Sequence, residues 1–69
     1  MREYEIIRKV DTIKDWGSTS KEVNIVKWGD MEPMIDIRKW KAGEPGKGIT
    51  LTKEEAKKLV YILLDELIK

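Results

Sequence analysis

The tryptophans of this 69-residue chain are the side chains whose type and spacing most suggest a binding chemistry. Trp16, Trp28 and Trp40 follow one another at about one strand plus one turn, which is typical of a meandering sheet. An exposed indole ring can stack on a nucleic-acid base, and because every base has a π-face this stacking tolerates any base sequence. The alternative is that the rings fill the core, since the chain has no phenylalanine.

Basic side chains surround the later tryptophans, although the chain carries a net charge of only +1. The segment 38–53 holds five of them and a single acid, Glu44. The basic residues of this segment and its flank are Arg38, Lys39, Lys41, Lys47, Lys53, Lys14, Lys21 and Lys27. Such a stripe attracts a polyanion in a salt-dependent way. The alternative is an ordinary solvated face, because Asp30, Glu32 and Asp36 dilute the field.

Catalysis and metal binding find little support in the composition. The chain has neither cysteine nor histidine, so thiolate ligands and the commonest general base are missing. The glycine-rich run 43–48 lacks the glycine and lysine spacing of a nucleotide-binding loop. Acid–base catalysis needs two positioned carboxylates, and Asp36 is the only acid that we expect in the core of a strand. We expect a non-enzymatic protein with no catalytic residue, cofactor or metal.

The length predicts a single domain covering residues 1–69. A domain of this size buries only about 60% of its unfolded surface and is marginal alone. Without disulfides or a metal, a second copy of the chain is the remaining source of burial. The charged start of the chain and the lack of about 20 consecutive apolar residues predict no signal peptide and no membrane span, hence a cytoplasmic protein.

Apolar periodicity predicts strands at 2–13, 21–28 and 34–40, with a short fourth strand at 49–51. The segments 14–20, 29–33 and 41–48 are predicted connections, the last one a flexible loop. A helix should run from Lys53 to about Ile68. Thr52 and Glu55 have the spacing of a capping box, which marks the start of that helix.

Side chains alternate across a strand, so parity divides the predicted sheet into two faces. The aliphatic face carries Val23, Ile25, Ile35 and Ile37. The tryptophan face carries Asn24, Val26, Trp28, Met34, Asp36, Arg38 and Trp40. We expect the aliphatic face to lie under the helix and the tryptophan face to meet solvent. Trp16, in a Gly/Ser loop, either covers the core or extends the stacking platform.

The helix is apolar over roughly 200°, wider than the ~100° of a one-sided surface helix. One stripe, which includes Val60, can cover the sheet, and a second stripe of Tyr61, Leu64 and Ile68 needs another partner. The most economical partner is a second copy of the helix, which predicts a homodimer interface at Tyr61, Leu64, Ile68 and Val60. The alternative is a sheet that curls far enough to cover both stripes.

Three runs of the chain resemble a known family. They are Lys-Glu-Val-Asn-Ile-Val-Lys-Trp-Gly at 21–29, Asp-Ile-Arg-Lys-Trp at 36–40 and Gly-Lys-Gly-Ile-Thr-Leu-Thr at 46–52. They look like prokaryotic relatives of the eukaryotic transcriptional coactivator called positive cofactor four. The resemblance covers nearly the whole chain. It implies an α+β fold, a four-stranded antiparallel sheet followed by one C-terminal α-helix (ββββα), a homodimer joined largely through the helices, and single-stranded DNA bound across the sheets.

The resemblance also implies roles for single residues. Trp28, Arg38, Trp40 and Lys47 match the family's aromatic and basic positions. The chain departs from the eukaryotic pattern by having only one residue between Arg38 and Trp40, and by an acidic connection at 29–33. The serine-rich regulatory region of the eukaryotic protein is missing, so transcriptional coactivation itself does not follow.

These observations together predict sequence-tolerant binding of single-stranded DNA by a homodimer. Bases would stack on Trp28 and Trp40, and Trp16 is a further candidate for stacking. Phosphates would contact Arg38, Lys27, Lys41, Lys47 and Lys21. RNA is an open alternative, because stacking does not distinguish the sugars. A protein-interaction module that docks a partner on the tryptophan face is the rival of another class, and the process (transcription, replication or repair) stays open.

Overall fold

The computed structural model of the chain describes residues 4–69 and consists of one sheet followed by one helix. The strands are β1 (Tyr4–Asp15), β2 (Thr19–Trp28), β3 (Met34–Lys41) and β4 (Glu44–Leu51), and the helix α1 is Lys53–Leu67. All neighbouring strands are antiparallel, in the order β1-β2-β3-β4. The predicted ββββα order and antiparallel pairing are therefore confirmed.

The connection between β3 and β4 is shorter than the predicted flexible loop at 41–48, and that prediction is wrong. Ala42 and Gly43 alone make the turn, both with positive φ, and β4 begins at Glu44. Pro45 lies inside β4, which is possible because β4 is an edge strand and needs hydrogen bonds on one side only. The glycines that suggest flexibility in the sequence are mostly strand residues.

Bulges interrupt the pairing of both edge strands, whereas the central pair is regular. β1 shifts register against β2 at three places, and β4 shifts against β3 between Arg38 and Trp40. Each extra residue moves the following side chains to the other face, which explains the loose apolar alternation of the first strand. The β2–β3 pairing runs without a shift, so parity assigns faces reliably there.

The tryptophan face is the more enclosed side of the sheet at its centre. Asn24, Val26 and Asp36 are buried, whereas Val23 and Ile25 on the aliphatic face are only half-buried. Bulges bend and twist a sheet, and a bend toward the tryptophan face would enclose these three residues. The expectation of a solvent-facing tryptophan face is therefore wrong for its central residues.

The start of α1 is held by the predicted capping box. The Glu55 backbone N–H donates to Thr52 Oγ1 at 3.1 Å, and the Thr52 backbone N–H donates to Glu55 Oε1 at 2.8 Å. These bonds satisfy backbone donors that no helical carbonyl can reach. Because both contacts are local, the sequence alone could predict this end of the helix.

The remainder of α1 has almost no contact with the sheet. Within residues 4–69 the helix approaches only β3 and β4, and its half-buried residues are Ala56 and Leu59. The large apolar residues from Val60 onward are 47% to 77% exposed. Neither predicted stripe therefore covers the aliphatic face within one chain.

Within residues 4–69, no helix is both long and apolar enough to cross a membrane.

Candidate nucleic-acid interface

Trp28 and Trp40 project from the same face of the sheet but lie at opposite ends of it. Trp40 is paired with Ser20 at the beginning of β2, and Trp28 ends that strand. Eight residues of β2 therefore separate the two ring positions, about 26 Å along the strand. The two rings cannot hold neighbouring bases. A ligand that meets both must run along the strands.

The tryptophans differ in how much of each ring is available. Trp28 is 37% exposed and Trp16 is 52% exposed, whereas Trp40 is half-buried. The Trp40 indole Nε1 is buried and has no hydrogen-bond partner within residues 4–69. An unsatisfied buried donor costs about 1–3 kcal/mol. A ring that served only the core would therefore be more stable with this N–H hydrogen-bonded.

Trp16 lies apart from this face, in the turn between β1 and β2. Its backbone N–H donates to the Thr19 carbonyl at 2.7 Å, which closes the turn. The Lys21 ammonium nitrogen lies 5.4 Å from the centre of the Trp16 ring, within the range of a cation–π contact. Lys21 projects from the aliphatic face, so Trp16 is associated with that face.

Arg38 lies between the two rings and is held by Asp36. Arg38 Nε donates to Asp36 Oδ2 at 2.6 Å, and its second terminal nitrogen donates to Asp36 Oδ1 at 2.7 Å. Thr50 Oγ1 donates to the same Oδ1 at 3.2 Å, and Arg38 also reaches the Gly46 carbonyl at 3.1 Å. The Asp36 side chain is 0% exposed and that of Arg38 14% exposed. A forked contact of this kind fixes the plane of the guanidinium group.

Gly48 makes the room that Arg38 occupies. The two residues are direct cross-strand partners, and a Cβ on Gly48 would lie 2.3 Å from Arg38 Cβ and 2.7 Å from the Ile37 carbonyl oxygen. Only glycine fits at this position. Sequence reasoning treated Gly48 as a loop residue and Asp36 as a dilution of positive charge. The spacing of Asp36 and Arg38, two residues apart on one strand, is the signal that could have identified the pair.

The predicted phosphate-binding residues are divided between the two faces. Arg38 alone belongs to the tryptophan face. Lys21, Lys27 and Lys41 have the opposite parity in the regular β2–β3 pair and project from the aliphatic face. Lys47 is next to Gly48 in β4 and lines a shallow pocket with Lys21, Ile37, Arg38 and Lys39. The structure thus places Trp28, Trp40 and Arg38 on one face, and it places the lysines on the other.

A second, larger depression lies between the β2–β3 connection and the start of α1. Its lining residues are Asp30, Met31, Glu32, Pro33, Met34, Thr52, Lys53 and Glu54. Three carboxylates and one lysine border its apolar floor. Because like charges repel, this acidic rim is a poor site for phosphate.

Comparison with known proteins gives a family for this chain. A comparison with curated proteins finds no match. Among protein families, residues 16–62 match the one described as Transcriptional Coactivator p15 (PC4). The matched span begins at Trp16, runs through β2, β3 and β4, and ends within α1, so it includes both ends of the tryptophan face. The chain belongs to the family of the transcriptional coactivator p15 (PC4).

Proposed function

We propose that this protein binds single-stranded DNA along the tryptophan face and does so as a homodimer. The observation that carries the proposal is the alignment of Trp28, Arg38 and Trp40 on one face, set by the unshifted β2–β3 register. Family membership supports it, since this is a family of coactivators that bind single-stranded DNA. Stacking on aromatic rings supplies about 1–3 kcal/mol per base.

The separation of the rings sets the length of DNA that the face can use. At the 3.4 Å rise of a stacked strand, about 26 Å corresponds to about eight nucleotides. We propose that one base stacks on Trp28, another stacks on Trp40, and Arg38 faces the backbone between them. Lys27 and Lys41 are next to the two rings in the sequence but project from the opposite face. They therefore add to the positive field around the ends of the path rather than contact its phosphates directly.

The homodimer is supported by the apolar surface that α1 leaves uncovered. Tyr61, Leu64, Ile68 and Val60 are all exposed in the single chain. A helix of this length is marginal in water unless its apolar side is packed. A second copy of α1 is the partner that the chain itself provides. Pairing of the helices would bury these four residues and join two sheets in one particle.

The experiment is a fluorescence titration with oligothymidines of roughly 4, 8 and 16 nucleotides, in low and in moderate salt. We expect weak quenching by the shortest oligomer, because it can reach only one ring of the tryptophan face. Quenching should increase at about eight nucleotides, when one strand spans both rings. Raising the salt should weaken the binding.

Matched variants separate stacking from other effects. Trp28→Ala and Trp40→Ala should each weaken the binding of a labelled eight-nucleotide oligomer roughly tenfold, because one stacking contact is lost. Trp28→Phe and Trp40→Phe keep an aromatic face and should lose much less. Absence of binding by a folded wild-type protein in low salt would overturn the proposal. Binding that persists in both alanine variants would remove the stacking mechanism.

Two rival functions predict different results in the same assay. An RNA-binding protein would bind oligouridine more tightly than oligothymidine of equal length. A protein-docking module would show no salt-dependent quenching by either oligomer, since an apolar docking face does not release counterions.

A further inference from the structure

A row of four lysines crosses the whole sheet on the side opposite Trp28 and Trp40. Lys14 of β1 is paired with Lys21 of β2, and Lys21 is paired with Lys39 of β3. Lys47 of β4 lines one pocket together with Lys21 and Lys39. Each strand therefore contributes one lysine, and we call these four residues the lysine row.

Folding alone does not explain this arrangement, because like charges directly opposite each other destabilise a sheet. The row contains two such pairs in succession, Lys14–Lys21 and Lys21–Lys39. All four side chains are exposed, and within residues 4–69 none of the four forms an ion pair with an acid. A bound polyanion would relieve the repulsion that the sheet by itself leaves in place.

The surroundings of the row favour a nucleic acid over a small anion. Neighbouring strands are about 4.8 Å apart, so four strands spread the charges over about 14 Å, the length of several phosphates rather than of one. Trp16 adjoins the row through its contact with Lys21, and its ring is half-exposed. Charge beside an aromatic ring is the combination that binds single strands.

The row lies where a nucleic-acid strand that leaves the tryptophan face would arrive. The lysine row is near the end of the sheet that carries the turns at 16–18 and 42–43. Trp40 is at this same end of the opposite face. The helix begins at the other end, after Leu51, and therefore does not start over the row.

We propose that the lysine row is a second binding segment for the same nucleic acid: a single strand that passes Trp40 turns around this end of the sheet, and its phosphates then contact Lys14, Lys21, Lys39 and Lys47. This inference rests on the proposed function and extends it, since it assigns an additional path and adds Lys14 and Lys39 to the interface. Short oligomers occupy the tryptophan face alone, and longer ones occupy both segments.

The test uses the double variant Lys14→Gln/Lys39→Gln, which removes two charges from the row and leaves the tryptophan face intact. The matched control is Lys57→Gln/Lys58→Gln, which removes two charges from exposed helix positions outside the basic stripe. Binding of labelled oligothymidines of roughly 8 and roughly 20 nucleotides is measured from about 0.05 to about 0.3 M salt.

We expect the row variant to bind the longer oligomer roughly 25-fold more weakly at about 0.1 M salt, with a salt slope lower by about 1.4, since each lost phosphate contact contributes about 0.7. Its affinity for the shorter oligomer should stay within about twofold of wild type. The control should resemble wild type at both lengths. Thermal unfolding of the row variant should not occur at lower temperature than that of wild type, because the like-charge pairs are gone.

Two results would overturn the inference while the proposed function stands. One is an unchanged affinity and salt slope of the row variant for the longer oligomer. The other is a loss that is equal at both lengths or equal to that of the control, which would be a general effect of net charge. If the folded wild-type protein binds neither oligomer, the proposed function and this inference fail together.

Discussion

At the scale of single residues, the tryptophan face depends on how Arg38 is held. Its guanidinium group donates twice to the buried Asp36 carboxylate, and Thr50 supports the same oxygen atom. A buried pair of this kind is weak evidence for stability, because desolvation offsets much of the attraction. Its clearest effect is geometric, since it fixes a cation between two rings that lie at the ends of the face.

Removal of the carboxylate should expose this dependence. In Asp36→Ala the Arg38 charge stays largely buried without its acidic partner, and we expect a loss of about 3 kcal/mol in the free energy of unfolding. Urea unfolding followed by circular dichroism measures this loss. The double variant Asp36→Ala/Arg38→Met should recover part of it, because no unpaired charge remains. A double variant no more stable than Asp36→Ala would contradict this explanation.

Gly48 gives a second test at the same scale. A methyl group in Gly48→Ala would overlap Arg38 Cβ and the Ile37 backbone, which cannot move as a flexible side chain can. We expect a loss of about 2 kcal/mol, together with weaker oligothymidine binding as Arg38 is displaced. Gly46→Ala is the matched control. A Cβ at Gly46 would have the Lys39 carbonyl oxygen as its nearest neighbour, at 3.3 Å. Equal stability losses in the two variants would show that Gly48 has no special steric role.

At the scale of elements, the shape of the edge strands depends on distant contacts, whereas the start of the helix depends on local ones. β1 and β4 contain bulges whose positions depend on pairing with distant residues. The start of α1 depends only on Thr52 and Glu55, three residues apart. This difference explains why the sequence predicted the helix start correctly and missed most of β4.

The capping box should carry a measurable share of the helix stability. Thr52→Ala removes the acceptor for the Glu55 backbone N–H, and we expect a loss of about 1 kcal/mol. Glu54→Ala, in the same turn, is the control. Glu54 makes an exposed ion pair with Lys57, so this substitution should cost a few tenths of a kcal/mol. Both values come from urea unfolding at one fixed protein concentration. Indistinguishable losses would argue against the cap.

At the scale of the whole molecule, one chain leaves two apolar surfaces uncovered. The aliphatic face of the sheet is half-buried, and the helix from Val60 onward is exposed. Apolar surface of this extent on a monomer marks an interaction site. The proposed homodimer accounts for the helical part of it.

A charge placed on that helix surface tests the dimer. Leu64→Glu should give a monomer in analytical ultracentrifugation, because a carboxylate cannot be buried without a partner. Its thermal unfolding should also lose the concentration dependence expected of a dimer. Lys58→Glu changes an exposed polar position by a larger charge and should stay dimeric. A monomeric wild-type protein, or a dimeric Leu64→Glu variant, would overturn the proposed interface.

The sequence by itself determined the features that depend on neighbours along the chain. Periodicity and parity predicted the order of the elements and grouped Trp28, Arg38 and Trp40, because side chains of the regular central strands alternate strictly. Tertiary structure decided the rest. It buried Asn24 and Asp36 on the tryptophan face, and it separated most of the lysines from Trp28 and Trp40. Bulges, curvature and cross-strand contacts join residues far apart in the sequence, and no local pattern encodes them.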